Sequence, residues 1–225
     1  MPPSPIHLFR GAHAPDSEMC LMESVARAAG EDWSDHPQTA CPVLAAYGRT
    51  LNDWLDDESR QRLVEFIPLL IGSRSTPEVE LRRAYLFADT AVRRFAPFSL
   101  RAVGLDDQAA KLESLPEINS PEAARAAKAA AEAAAKAAKG AAEAAAAYAA
   151  NAAYAAAYAA VDATYADATA AAAAKTAYAA YATYAAAADA AAAVGEFTAA
   201  AGAKTTEHLV DMAVQLFRDA YLPRQ

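Results

Sequence analysis

Cys20, His36 and Cys41, with His13 upstream, are the side chains in this chain with the widest chemical reach. Thiolate and imidazole are ordinary zinc donors, so Cys20, His36 and Cys41 form a candidate zinc site by residue type. Their spacing does not match a dedicated zinc site, because the chain has no C-x2-C pair. The same residues suggest a second use. Cys41 directly precedes Pro42, where a helix N-terminus would favour a thiolate, and His13 or His36 would serve as base. Packing is the competing explanation. Cys20 falls beside Met19, Met22 and Val25, and a buried free cysteine behaves as a small hydrophobe. Two cysteines are too few for a disulfide framework and suit a reducing cytoplasm.

Arg82-Arg83 and Arg93-Arg94 are the other candidate site. Arg83 and Arg94 are 11 residues apart, which places them on one face of a helix. With Arg101 they outline an anion site for a nucleotide or a phosphate. Against this, Glu78, Glu80 and Asp89 are close enough in sequence to neutralise them on a solvated surface. No glycine-rich phosphate loop is present. The net charge is −8. Residues 1–120 carry 12 basic and 18 acidic side chains, so both that part and the remainder are acidic. Without a basic stripe, nucleic acid is not an expected partner.

The elements that position these residues read as helices. DSEMCLMESVARAA (16–29) has Asp16 or Ser17 as N-cap and Gly30 as its stop. Pro42 suits the first turn of a helix running to about Leu55. DDES at 56–59 caps a third helix that ends at Gly72 and is kinked or stopped by Pro68. Thr76-Pro77-Glu78 opens a fourth, expected to run to Phe95 and stop before Pro97. A short fifth spans about Asp106 to Leu115. No segment alternates at period two, so no sheet is expected.

From Pro121 to Val194, 47 of 74 residues are alanine, and seven of the ten tyrosines lie there. Alanine is the best helix former, and Ser120-Pro121-Glu122 is a strong helix start. Arg125, Lys128, Glu132, Lys136, Lys139 and Glu143 form one polar stripe, continued by Tyr154, Tyr158, Asp162 and Tyr165. Thr164, Asp167, Lys175, Tyr178 and Asp189 leave that stripe, which predicts a turn near 164–174. Residues 144–161 are uncharged and reach spanning length, but alanine is weakly hydrophobic and Asn151 interrupts them, so no membrane span is expected. TTEHLVDMAVQLFRDAYL closes the chain with Leu209, Met212, Ala213, Leu216 and Phe217 on one helical face.

MCLMESVARAAGEDWSDHPQTACPVLAAYGRTLND, RRAYLFADTAVRRFAPFSLRAVGL, SLPEI and the alanine/tyrosine tract resemble a group of uncharacterised alanine-rich proteins of actinobacteria and their phages. The resemblance covers most of the chain. It implies a small helical domain with an alanine-rich helical tail, in a cytoplasmic or virion-associated setting, and it brings no established activity or site residues. The expected fold is all-α. Residues 1–15 form an extended arm, 16–118 a helical head, and 119–225 an alanine-rich hairpin or bundle closed by amphipathic helix 203–222. The N-terminus shows no cationic-then-apolar pattern, so no signal peptide is expected. The leading functional expectation is a non-enzymatic structural or interaction protein that assembles with itself or holds a protein partner through its small-residue surface. The alternative is a binder of a small anionic, nucleotide-like ligand through Arg82, Arg83, Arg93 and Arg94. A third is a zinc- or cysteine-dependent enzyme using Cys20, His36 and Cys41.

Overall fold

The computed structural model describes residues 6–15, 17–139, 151–153, 155, 156, 158, 159, 171–176, 178, 179, 181–183, 185 and 199–221, with backbone alone for 199–206. Its regular structure is helical, and no strand occurs among the described residues. No helix among them is long and apolar enough to cross a membrane.

Helix α1 spans Leu21–Ala29 and begins later than Asp16 or Ser17 would place it. The Glu23 carboxylate accepts the Cys20 N–H at 2.8 Å, which makes Cys20 the N-cap. The Ser17 hydroxyl is turned back onto the Ala14 carbonyl at 2.7 Å and cannot cap. Gly30 ends the helix at φ 73°, a left-handed conformation that costs glycine little. Residues 6–15 are non-helical, as the prolines suggest, but they are fastened to the head. Gln61 brackets Leu8, accepting from its N–H at 2.8 Å and donating to its carbonyl at 3.0 Å. Asn52 Nδ2 donates to the Phe9 carbonyl at 2.9 Å, and the Leu8 side chain is fully buried.

Helix α2 (Pro42–Trp54) starts on its proline and ends one residue before Leu55. Its C-terminal carbonyls are served by Arg60, whose buried guanidinium donates to Asn52 O at 2.7 Å and Leu55 O at 2.6 Å. A cation at the negative end of the helix dipole is stabilising there. The segment from 56 to 72 is broken into α3 (Asp57–Gln61), a 3-10 turn over Arg62–Phe66 and α4 (Ile67–Leu70). Asp56 caps α3 through Ser59 N at 2.8 Å.

Helix α5 (Pro77–Thr90) does not stop before Pro97. It passes through a π turn over Ala91–Phe95 and continues as α6 (Ala96–Ala102). A proline has no N–H for the preceding turn and its ring crowds that turn's carbonyl. The π turn widens the chain just there: the Ala96 N–H reaches back five residues to Ala91 O. Helix α7 (Asp106–Glu113) follows, then α8 (Pro121–Lys139), where Ser120 Oγ accepts the Ala123 N–H at 3.2 Å.

The alanine face of α8 turns inward. Ala124, Ala127, Ala131, Ala134, Ala135 and Ala138 are buried beside α6 and α7, while Arg125, Lys136 and Lys139 face out. Further along the tract, Ala152, Ala153, Ala156, Ala172 and Ala173 are also fully buried. The Thr183 hydroxyl donates to Phe95 O at 3.1 Å, which fixes the tract against the π turn. The turn expected at 164–174 falls mostly outside the described residues, and 171–174 are helical.

The last helix, α9 (Ala199–Tyr221), docks on the head against α2, α5 and the 3-10 turn. Phe217 stacks on Phe66 with centroids 4.5 Å apart and meets Tyr47 edge-on at 5.6 Å. The buried Tyr47 hydroxyl donates to Ala213 O at 2.9 Å. Gly48 allows this approach. A Cβ there would lie 3.0 Å from Phe217 Cζ, 3.1 Å from Leu21 Cδ2 and 3.2 Å from Met22 Cε. The core of the head is therefore completed by residues from the far end of the chain.

Candidate functional site

Arg82, Arg83, Arg93 and Arg94 all line one groove of about 1030 Å³. One wall is the face of α5 and the π turn that repeats at helical spacing through Val79, Arg82, Leu86 and Arg93. The other wall is α9, through His208, Asp211, Met212 and Gln215. Ile118, from the link between α7 and α8, contributes from below. Arg101 is absent from the groove. It pairs with Asp106 and Glu113 on the α6–α7 side.

The four arginines differ in how they are held. Arg93 pairs with Asp89 at 3.1 Å, which also accepts the Ile118 N–H at 3.0 Å. The Arg93 Nε is buried and has no hydrogen-bond partner among the described residues. Arg83 donates to two neutral carbonyls, Ser73 O at 2.9 Å and Ala220 O at 3.2 Å, and so caps the C-terminal turn of α9. Arg82 and Arg94 are exposed, and neither forms a hydrogen bond or salt bridge among the described residues. Neutralisation by Glu78 and Glu80 does not develop as the spacing suggested. The Glu78 carboxyl is held below its ordinary pKa mainly by the Thr76 hydroxyl, with Arg82 a minor influence.

Arg62 and Arg218 also line the groove, and the sequence did not single them out. Arg62 pairs with Asp211 at 2.7 Å, and Arg218 with Glu65 at 2.6 Å. Each pair joins the 3-10 turn to α9, so only the tertiary fold brings them together. Among the described residues Arg82 and Arg94 are left available, Arg83 is engaged by neutral carbonyls, and Arg62 and Arg218 are already neutralised.

Cys20, His36 and Cys41 do not form the expected zinc site. Among the described residues no group of three His, Cys, Asp or Glu side chains could hold a metal ion. Cys20 and Cys41 open two different helices and point into the core, whereas His36 is exposed on a loop with Nδ1 against Asp35 at 2.6 Å. Burial pushes the Cys20 thiol up to about 12, the opposite of activation. Cys41 is fully buried and its N–H donates to Ser73 Oγ at 2.9 Å.

Glu23 is the most heavily used buried carboxylate among the described residues. It is 1% exposed and accepts from Cys20 N, from His13 N at 2.6 Å and from the His13 ring at 3.0 Å. Its partners are mostly main-chain donors, so it fastens the 8–15 segment to α1. A smaller hollow lies between Tyr158 and Tyr178, with Lys175 over the Tyr158 ring at 5.4 Å. Comparison with known proteins finds no matching family model, no similar curated protein and no similar solved structure.

Proposed function

We propose that this chain is a non-enzymatic binding protein and that its binding element is the groove between α5 and α9, which takes an anionic ligand. The observation that carries this reading is the gathering of Arg82, Arg83, Arg93 and Arg94 on one wall, with Arg82 and Arg94 forming no hydrogen bond or salt bridge among the described residues. Exposed guanidiniums beside a partly apolar cleft form good anion sites, because water is partly excluded and each head offers a planar fork of donors. Assembly through the small-residue surface has weaker support, since Ala124, Ala127, Ala131, Ala134, Ala135 and Ala138 of α8 are buried within the chain and only Ala126, Ala129 and Ala133 are exposed. Exposed Tyr158, Tyr178 and Tyr181 keep a self-association face in play, and light scattering on the full chain tests it. Two buried free cysteines suit a reducing compartment, whether cytoplasm or virion interior.

The test is thermal unfolding at low salt with inorganic phosphate, pyrophosphate, a nucleoside triphosphate and polyglutamate as separate probes. At least one anion should raise the melting temperature, with the shift shrinking as salt screens the charges. The Arg82→Glu/Arg94→Glu protein should lose that shift while unfolding at the same temperature without ligand. If none of these anions stabilises the native protein, the reading is wrong.

A further inference from the structure

Length is the feature of the groove that narrows its occupant, and the inference rests on the anion-binding reading above. Arg82 and Arg94 lie 12 positions apart on the α5–π wall. At the helical rise that separates their backbones by about 18 Å. A phosphate group can neutralise one of them and leaves the other in water. The groove also presents half-buried Val79 one turn before Arg82, Leu86 between the two arginines and Met212 on α9, apolar side chains with no charge to satisfy. The cavity of about 1030 Å³ lies at the upper limit of pockets that enclose a single small molecule.

The charge distribution is lopsided in the same direction. On the α5–π wall, Arg82, Arg83, Arg93 and Arg94 outnumber one carboxylate, Asp89, and exposed Glu117 beside Ile118 adds a second. Across the groove, Asp211 is engaged by Arg62 and Asp219 accepts from Gln215 at 2.8 Å. A complementary occupant therefore carries separated negative charges along one edge and apolar groups along its underside. Both walls are helices whose backbone groups are internally bonded. An extended peptide would find no strand edge to pair with, whereas a helical one satisfies its own backbone.

We infer that the groove binds an acidic amphipathic helix from a partner protein, with its carboxylates along Arg82 and Arg94 and its apolar face on Val79, Leu86 and Met212. A helix lying beside α5 shares its rise, so acids about three turns apart face both guanidiniums at once.

The test is selection from a displayed library of random peptides of about fifteen residues, enough to run the length of the groove. The target is the full chain, and the Arg82→Glu/Arg94→Glu protein is the counter-target. Enriched peptides should carry Asp or Glu together with apolar residues at helical spacing. Measured by fluorescence anisotropy, Arg82→Glu and Arg94→Glu should each weaken the best peptide about tenfold, and the double variant more than either. Lys136→Glu on the outer face of α8 should leave it unchanged. Absence of enrichment over the counter-target overturns the inference, as does enrichment of sequences without acids. If pyrophosphate or a nucleotide alone binds and is lost in the double variant, the anion site stands and the peptide falls. If no anion and no peptide binds, both fall.

Discussion

Gly48 and Phe217 give the sharpest test of how α9 closes the head. In an unconstrained helix, Gly48→Ala would stabilise by about 1 kcal/mol, because glycine loses more backbone freedom on folding. Here the added methyl would meet Phe217 Cζ at 3.0 Å, with Leu21 and Met22 almost as near. Overpacking of this kind costs about 1–3 kcal/mol, so the two effects leave a net loss of about 0–2 kcal/mol. Phe217→Ala alone removes a fully buried ring that stacks on Phe66, and costs about 3–5 kcal/mol. For a chain of this size that is a fall in melting temperature of roughly 6–20 °C. In the double variant the tightest contact at position 48 is gone, so the alanine recovers part of its helical advantage. The two substitutions should be coupled by about 1–2 kcal/mol in a double-mutant cycle. Urea unfolding of all four proteins, followed by far-UV circular dichroism, gives the number. If Gly48→Ala stabilises the otherwise intact chain by its full helical increment, or the coupling is zero, Phe217 is not lodged against α2.

Three further outcomes follow from the same packing. Tyr47→Phe should cost about 1–2 kcal/mol by calorimetry, because Ala213 O loses its buried donor while the rings stay in place, and an unchanged melting temperature would refute the bond. Burial pushes the Glu23 carboxyl up, but the N–H groups of Cys20 and His13 and the His13 ring outweigh it and hold its pKa below the ordinary value. A lowered native pKa gives stability that is present above the unfolded value of about 4.3 and is lost as pH falls through the native one. The urea midpoint should therefore drop more steeply on acidification than in Glu23→Gln, and parallel curves for the two proteins would count against the network. Cys20 and Cys41 should resist a thiol reagent in the native protein at neutral pH and both react after unfolding, so labelling of either before unfolding would contradict their burial.

Helix boundaries set by covalent chemistry were legible in the sequence. Pro42, Pro77 and Pro121 each open a helix, and Gly30 adopts the left-handed stop that its position suggested. The alanine stripe of α8 also resolved correctly, because burial follows the spacing of its charged residues. Local signals failed where two rules competed. Asp16 and Ser17 are good caps by type, but Glu23 makes Cys20 the better one through its own main-chain bond. Pro97 reads as a stop, and only the π turn before it lets the helix continue. The arginine wall was half visible: Arg82, Arg83, Arg93 and Arg94 belong to one continuous helical run, whereas Arg62 and Arg218 join the groove from distant segments. The zinc reading failed because residue type carries no information on distance.

Tyr47 and its acceptor Ala213 are separated by 166 positions, and this has a consequence in time. At a synthesis rate of about 5–20 residues per second, Ala213 is made roughly 8–33 s after Tyr47. Throughout that interval the nascent head lacks Phe217 against Phe66, and the arginine face has no opposite wall. The alanine tract thus works as a delay line. A growing chain cannot offer a finished groove until α9 has been translated, so the two walls meet only after that helix is made.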